Sequence, residues 1–245
     1  MSSWFLYEGL ESAVLSNSPS GTNLTNLNDR DFNTVYTPGI ATDQVVTMDL
    51  GSARTCNSII LHNIGAFSTF NASTPIQYSS DNFVADTNTV AVFSSTYSSG
   101  SDIAYATFTS ASARYWRTKT TWSSGQEIGN MFPGTRFQPS INYTRPVDWE
   151  PQMNNILVTA YSGRTFAKRQ EPFRWRRKCI WRGLTSTDAT NFRAFIEAIE
   201  VNIKAFYFID PVEALHYYVR LASTPKFTRI SYSVYDIEID FLQEL

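Results

Sequence analysis

Apolar and polar residues alternate in short runs along most of the chain, and the runs end in turn-forming clusters. Residues 45–50 stop at Gly51-Ser52, residues 58–63 carry Ile59, Ile60 and Leu61, and residues 75–79 run into Ser80-Asp81-Asn82. Further runs cover 89–93, 104–109 and 114–120. In 104–109 the period of two puts Ala104, Ala106 and Phe108 on one face and Tyr105, Thr107 and Thr109 on the other, as a half-buried strand requires. Tyr115 and Trp116 are adjacent, so one ring must point into a core and the other away from it. Short strands at this spacing predict a β-sandwich.

Past residue 151 the pattern changes. Runs at 155–161 and 173–181 read as strands, and 186–202 reads as a helix because Phe192, Phe195, Ile196 and Ile199 recur at i, i+3, i+4 and i+7. Thr185 with Asp188 three residues on supplies a capping box for its start. Strands follow at 205–209, 217–221 and 231–242. In the last, Tyr235, Ile237, Ile239 and Phe241 face one way and Val234, Asp236, Glu238 and Asp240 the other. Between the two patterns, Pro133, Pro139, Pro146 and Pro151 interrupt any ladder. The expected fold is therefore mainly β: a sandwich over 1–132, a Pro-rich linker over 133–151, and over 152–245 a β-sandwich or sheet with one packed α-helix at 186–202.

Composition agrees with a folded, aromatic-rich β protein: 42% hydrophobic, 15% aromatic and 17% charged residues. The formal net charge of −2 gives no overall attraction to nucleic acid, and no apolar stretch is long enough to cross a bilayer. The N-terminus has neither a basic region nor a sustained apolar one, which predicts a soluble, unexported chain. Charge is divided unevenly. Residues 1–150 hold 7 Lys/Arg against 12 Asp/Glu, and residues 151–245 hold 13 against 10.

Chemistry-bearing clusters are sparse. His62 and His216 sit in unrelated strands, and Cys56 and Cys179 lie in different halves, so neither a metal site nor a disulfide framework is expected. Gly125, Gly129 and Gly163 lack the strand-to-helix setting of a phosphate loop, and Asp29 with Asp31 sits in a polar loop with no apolar pocket to raise a carboxyl pKa. No catalytic residue, cofactor or metal is predicted. The strand near 173–182 is more informative: Phe173, Trp175, Arg177, Cys179 and Trp181 share one face, while Arg174, Arg176, Lys178, Ile180 and Arg182 share the other. The basic face matches in pitch the acidic stripe Asp236, Glu238 and Asp240. Opposed stripes suit either docking between identical subunits in a ring or pairing across strands inside one subunit.

Four segments in order, 46–54 (VTMDLGSAR), 57–63 (NSIILHN), 76–81 (IQYSSD) and 113–117 (ARYWR), resemble the discoidin-like (F5/8 type C) jelly-roll, with Asn82 following Asp81 where that family carries a DG turn. Such domains recur in phage tail proteins, followed by an element like 128–134 (IGNMFPG). Segments 205–210, 217–221 and 232–242 are similar to the ends of minor and distal tail proteins of long-tailed phages. The resemblance implies a non-enzymatic structural protein of a phage virion, made in the host cytoplasm, ring-forming as a hexamer or trimer at the distal tail, baseplate or tail tip, with other tail proteins as partners. The alternative is a carbohydrate-binding adhesin that contacts a host surface glycan through loop aromatics such as Phe67, Phe70 and Tyr97, since aromatic rings stack on sugar faces. Neither reading involves nucleic acid or membrane insertion.

Overall fold

The computed structural model of the 245-residue chain describes residues 3–7, 13–18, 21–29, 34–39, 44–65, 75–93, 103–120, 127–144, 149–152, 155–159, 161–162, 165–169, 174–201, 203–210, 213 and 215–244. In chain order the strands are β1 (Trp4–Tyr7), β2 (Val14–Ser18), β3 (Gln44–Gly65), β4 (Pro75–Ser79), β5 (Asn88–Val92), β6 (Ile103–Thr120) and β7 (Glu127–Phe137). Then come β8 (Glu150–Gln152), β9 (Asn155–Thr159), β10 (Thr165–Arg169), β11 (Arg174–Thr185), β12 (Phe206–Ile209), β13 (His216–Leu221), β14 (Lys226–Ser231) and β15 (Val234–Gln243), with helix α1 (Ser186–Ala198) after β11. The protein is mainly β, and the chain divides into two compact units. One, the N-terminal unit, is Leu6–Arg136; the other, the C-terminal unit, joins Met1–Phe5 to Phe137–Leu245.

In the N-terminal unit β3 and β6 pair antiparallel over almost their whole length. The first half of β3 also pairs with β2, its second half with β7, and the end of β6 carries β4 and then β5. The turn expected at Gly51-Ser52 is a bulge inside a single strand: the register slips between Asp49 and Arg54. Gly51 takes φ +73°, where a side chain is disfavoured, and donates its N–H to Asp49 Oδ1 at 2.8 Å. Alternation then sets the core. Val46, Met48, Ile59, Leu61, Ile76, Ala104, Ala106 and Trp116 are buried, and Tyr115 takes the outward place beside Trp116.

The expected linker over 133–151 begins inside a strand instead. Pro133 lies in β7 opposite Ile59, and Gly134 is packed so closely that a Cβ there would stand 2.2 Å from the Tyr7 carbonyl oxygen. Burying Ile128, Met131 and Phe132 outweighs the ladder bond that one proline removes. Further on, Tyr143 is buried, Thr144 bridges to Ile180 and β8 pairs with β11, while 145–148 lie outside the described residues.

In the C-terminal unit β15 has β11 on one side and β13 and β14 on the other; β12 pairs with β13, and β9 with β10. The run expected as one strand at 231–242 is the second arm of a β14–β15 hairpin. Helix α1 starts at the expected capping box, with Thr185 accepting from the Asp188 amide, and buries Phe192, Phe195, Ile196 and Ile199. It ends at Ala198 rather than 202, where Glu200 and Val201 turn the chain at positive φ. Phe5 belongs to this unit, not to the sandwich in which its sequence position placed it. Its ring centroid lies 4.9–6.2 Å from those of Phe137, Trp181, Phe192, Phe195, Phe206, Phe208 and Phe241.

Candidate functional site

Cα partners in antiparallel strands project to the same side, so the registers of the N-terminal unit align side chains into rows across the sheet. One row runs Leu15, Met48, Trp116, Tyr78 and faces the core. The neighbouring row runs Ser16, Thr47, Arg117, Gln77, Thr89 and faces away from it. Arg117 donates Nε–H to Gln77 Oε1 at 2.8 Å, and Gln77 Nε2 donates to Thr89 Oγ1 at 3.1 Å. The Arg117 guanidinium carbon stands 3.8 Å from the ring centroid of Phe83. One row further along, Arg114 makes a two-bond ion pair with Asp49 at 2.7 and 2.8 Å and lies 4.9 Å from the Tyr115 ring.

Phe83 is held by an unusual loop. Asn82 and Phe83 both have positive φ, 59° and 64°; asparagine tolerates that region, whereas a bulky aromatic rarely enters it. The Ser79 hydroxyl accepts the Phe83 amide at 2.9 Å and donates to Asp81, which also accepts the amides of Val84, Ala85 and Asp86. Those bonds, from Ser79 first, hold the Asp81 carboxyl below the usual carboxylate range.

In the C-terminal unit the two charged stripes lie side by side in one sheet, because Lys178 pairs with Asp240 and Ile180 with Glu238 in the β11–β15 register. Arg176 meets Asp240 at 2.7 Å and Lys178 meets Glu238 at 2.6 Å, while Arg174 stands 3.6 Å from Glu244. Asp236 accepts the Gly183 amide at 3.0 Å. Of the residues expected at a subunit interface, Arg174, Arg176, Lys178, Asp236, Glu238 and Asp240 are therefore engaged inside the chain. Arg182 is exposed beside a shallow depression of about 160 Å³ that Lys226, Thr228, Asp236 and Glu238 also line.

The same strand carries a polar group that alternation placed on its apolar face. Arg177, only 4% exposed, is ion-paired with fully buried Asp210, and both reach the Tyr143 hydroxyl, which donates to Asp210 at 2.8 Å. Burial alone would lower the Arg177 pKa; the Asp210 charge outweighs it and raises it. Burial and Asp210 together raise Tyr143, keeping the phenol protonated. This arrangement ties β11 to Tyr143 and Asp210 inside the unit. The sequence offered one clue, an arginine in phase with Cys179 and Trp181.

Cys56 and Cys179 are buried and form no disulfide, and burial raises the Cys179 thiol. Asp29 accepts the Thr34 hydroxyl at 2.7 Å; Asp31 lies outside the described residues. His62 is in β3 of one unit and His216 in β13 of the other. Among the described residues no group of three or more His, Cys, Asp or Glu could hold a metal ion, and no helix is long and apolar enough to cross a membrane. Phe67, Phe70 and Tyr97, the expected glycan contacts, all lie outside the described residues.

The F5/8 type C family described as "NedA-like, galactose-binding domain" matches residues 26–118. The N-terminal unit carries a discoidin-like domain. No curated protein matches the chain significantly. Solved structures similar to this chain include CpGH89CBM32-6 of Clostridium perfringens, 17% identical, covering 51% of this chain and 98% of that one at a TM-score of 0.41. Chitosan-binding module 1 of a chitosanase/glucanase from Paenibacillus sp. IK-5 is 23% identical over 52% of this chain and 98% of its own, with a TM-score of 0.42. CpGH89CBM32-5 of Clostridium perfringens, solved with GalNAc-β-1,3-galactose, is 11% identical over 52% and 99%, with a TM-score of 0.40.

Proposed function

We propose that the discoidin-like domain is a carbohydrate-binding module and that the chain acts by holding a glycan rather than by transforming one. The observation that carries this reading is the match of residues 26–118 to a family described as galactose-binding. The surface chemistry supports it: the outward row of Ser16, Thr47, Arg117, Gln77 and Thr89 supplies donors and acceptors, with the aromatic rings of Phe83 and Tyr115 close by. Sugars are held by hydrogen bonds to planar polar groups and by stacking on rings. The test is a glycan array probed with the 245-residue chain, its fold checked by circular dichroism. Selective binding, galactosides included, is the expected result; a folded chain that binds no glycan would overturn the reading.

A second reading assigns the chain a structural place in a phage virion, as a ring-forming tail subunit, with the module projecting toward a host surface. Its support is the resemblance of the C-terminal segments to tail proteins. Those segments fold here as β12, β13 and β15 of one unit. Light scattering alone and with co-expressed tail components tests it: a closed oligomer is expected, and a monomer that ignores those components removes it.

A further inference from the structure

We infer that the outward sheet face of the discoidin-like domain binds an acidic saccharide, with Arg117 receiving a uronate carboxylate; this rests on the carbohydrate-binding reading above. The starting point is an arginine with no counter-ion among the described residues. Arg117 is partly buried, and among the described residues no carboxylate pairs with it; its Nε–H goes to the neutral Gln77. Partial desolvation lowers its pKa, the direction expected of a cation that lacks a nearby anion. The acids closest along the chain are spoken for. Asp81 accepts amides of its own loop, Asp86 accepts from Ser80 and Asn88, and Asp49 is held by Arg114.

The N-terminal unit has 6 Lys/Arg against 10 Asp/Glu, so a net positive face on it is not a consequence of composition. Yet the outward rows carry Arg114 and Arg117, and the one carboxylate in register with them, Asp49, is taken up by Arg114. With Nε occupied by Gln77 and one face of the guanidinium covered by Phe83, the two Nη groups have no partner among the described residues. They form a planar donor fork, the geometry that receives a carboxylate by two parallel hydrogen bonds. Phe83 keeps the fork in place from a left-handed backbone conformation that a bulky residue adopts only when its surroundings impose it. Ser16, Thr47, Gln77 and Thr89 continue the row on both sides across five strands, about 19 Å at the usual strand spacing, the length of a short oligosaccharide. The site thus combines one charge-reading residue with flanking groups that take hydroxyls.

The experiment is calorimetric titration of the 245-residue chain with oligogalacturonate and with the same oligomer after its carboxyls are reduced, at low and at physiological salt. Oligogalacturonate should bind at least about tenfold more tightly, the ratio expected for one charge-assisted pair of hydrogen bonds, and salt should narrow the gap. Arg117→Ala should abolish the preference, bringing oligogalacturonate down to the affinity of its reduced form measured on the same variant. Arg117→Lys should restore only part of it, because a point charge cannot reproduce the fork. If Arg117→Ala proves unstable by thermal melting, Phe83→Ala serves instead, since it releases the fork without removing the charge and should weaken the preference. Equal binding of the two oligomers, or a preference that survives Arg117→Ala, overturns the inference and leaves the carbohydrate reading standing. Binding of sulfated but not carboxylated oligomers also overturns it. Failure of both oligomers and of every neutral glycan sinks the carbohydrate reading itself.

Discussion

The C-terminal unit gathers aromatic rings around Phe5 and seals a buried ion pair beside them, whereas the N-terminal unit fills its interior mainly with aliphatic side chains from β3, β6 and β7 and keeps its charges outside. The difference separates two ways in which an arginine is tolerated below the surface. Arg177 has the carboxylates of Asp210 and Glu213, the Tyr143 phenol and the Trp149 ring, so its charge is answered within the fold. Arg117 has an amide and one ring, so part of its binding capacity is left over. The structural arginine is tied through both Nη groups to an anion and a phenol, whereas Arg117 is tied through Nε to a neutral amide.

The sharpest way to break this comparison is at the ring cluster. Phe5→Ala should lower the stability of the C-terminal unit by about 3–5 kcal/mol, the range for truncating a buried aromatic, with the N-terminal unit unaffected. Urea unfolding followed by tryptophan fluorescence tests it, and equal loss in both units would show that the cores are not separate. Next in size, Arg177→Met should cost about 3 kcal/mol, because Asp210 then stays buried without the cation it is paired with. Adding Asp210→Leu should recover much of that loss; if the double variant is no better than the single, the pair is not the reason Arg177 matters.

A smaller effect is expected at the start of α1. Asp188 accepts from the Thr185 amide and hydroxyl and from Ser140; burial would raise its pKa, but these bonds prevail and lower it. Asp188→Ala should remove about 1–2 kcal/mol, a typical helix-cap loss, while the same change at the exposed Glu197 should be near neutral. The last effect is seen only as pH is varied. Burial pushes the His216 pKa down to about 4, below its unfolded value near 6.5. The unfolded chain therefore takes up a proton between those values that the native state refuses, so stability contributed by this group is complete above pH 6.5 and falls as pH drops toward 4. His216→Gln should flatten that segment of a stability–pH curve, leaving the steeper loss below pH 4 that comes from Asp49, Asp81, Asp86 and Asp188. An unchanged slope between pH 6.5 and 4 would rule out His216 as its source.

Local periodicity made much of this architecture legible. The stripe Phe192, Phe195, Ile196 and Ile199, the Thr185–Asp188 box and the alternation in β15 all depend on residues within two turns or one strand of each other, and each reads correctly from spacing. Three features did not read that way. Pro133 looked like a break because the ladder bond it removes is visible in sequence, while the burial that offsets it depends on β3, far off in the chain. Arg177 looked like an intruder on an apolar face because Asp210 and Tyr143 reach it only in three dimensions. The row through Arg117 exists only once five strands are in register, so no single segment could announce it.

The placement of Phe5 also fixes an order of events as the chain is made. Residues 6–136 contain every strand that their own interior needs, and those strands are available once β7 has been synthesised. The C-terminal unit has no such freedom: its first ring must wait, exposed, until β15 delivers Phe241 from nearly the other end of the chain. During synthesis the strands of the N-terminal unit are therefore all present long before the other unit can close, around a residue made among the first.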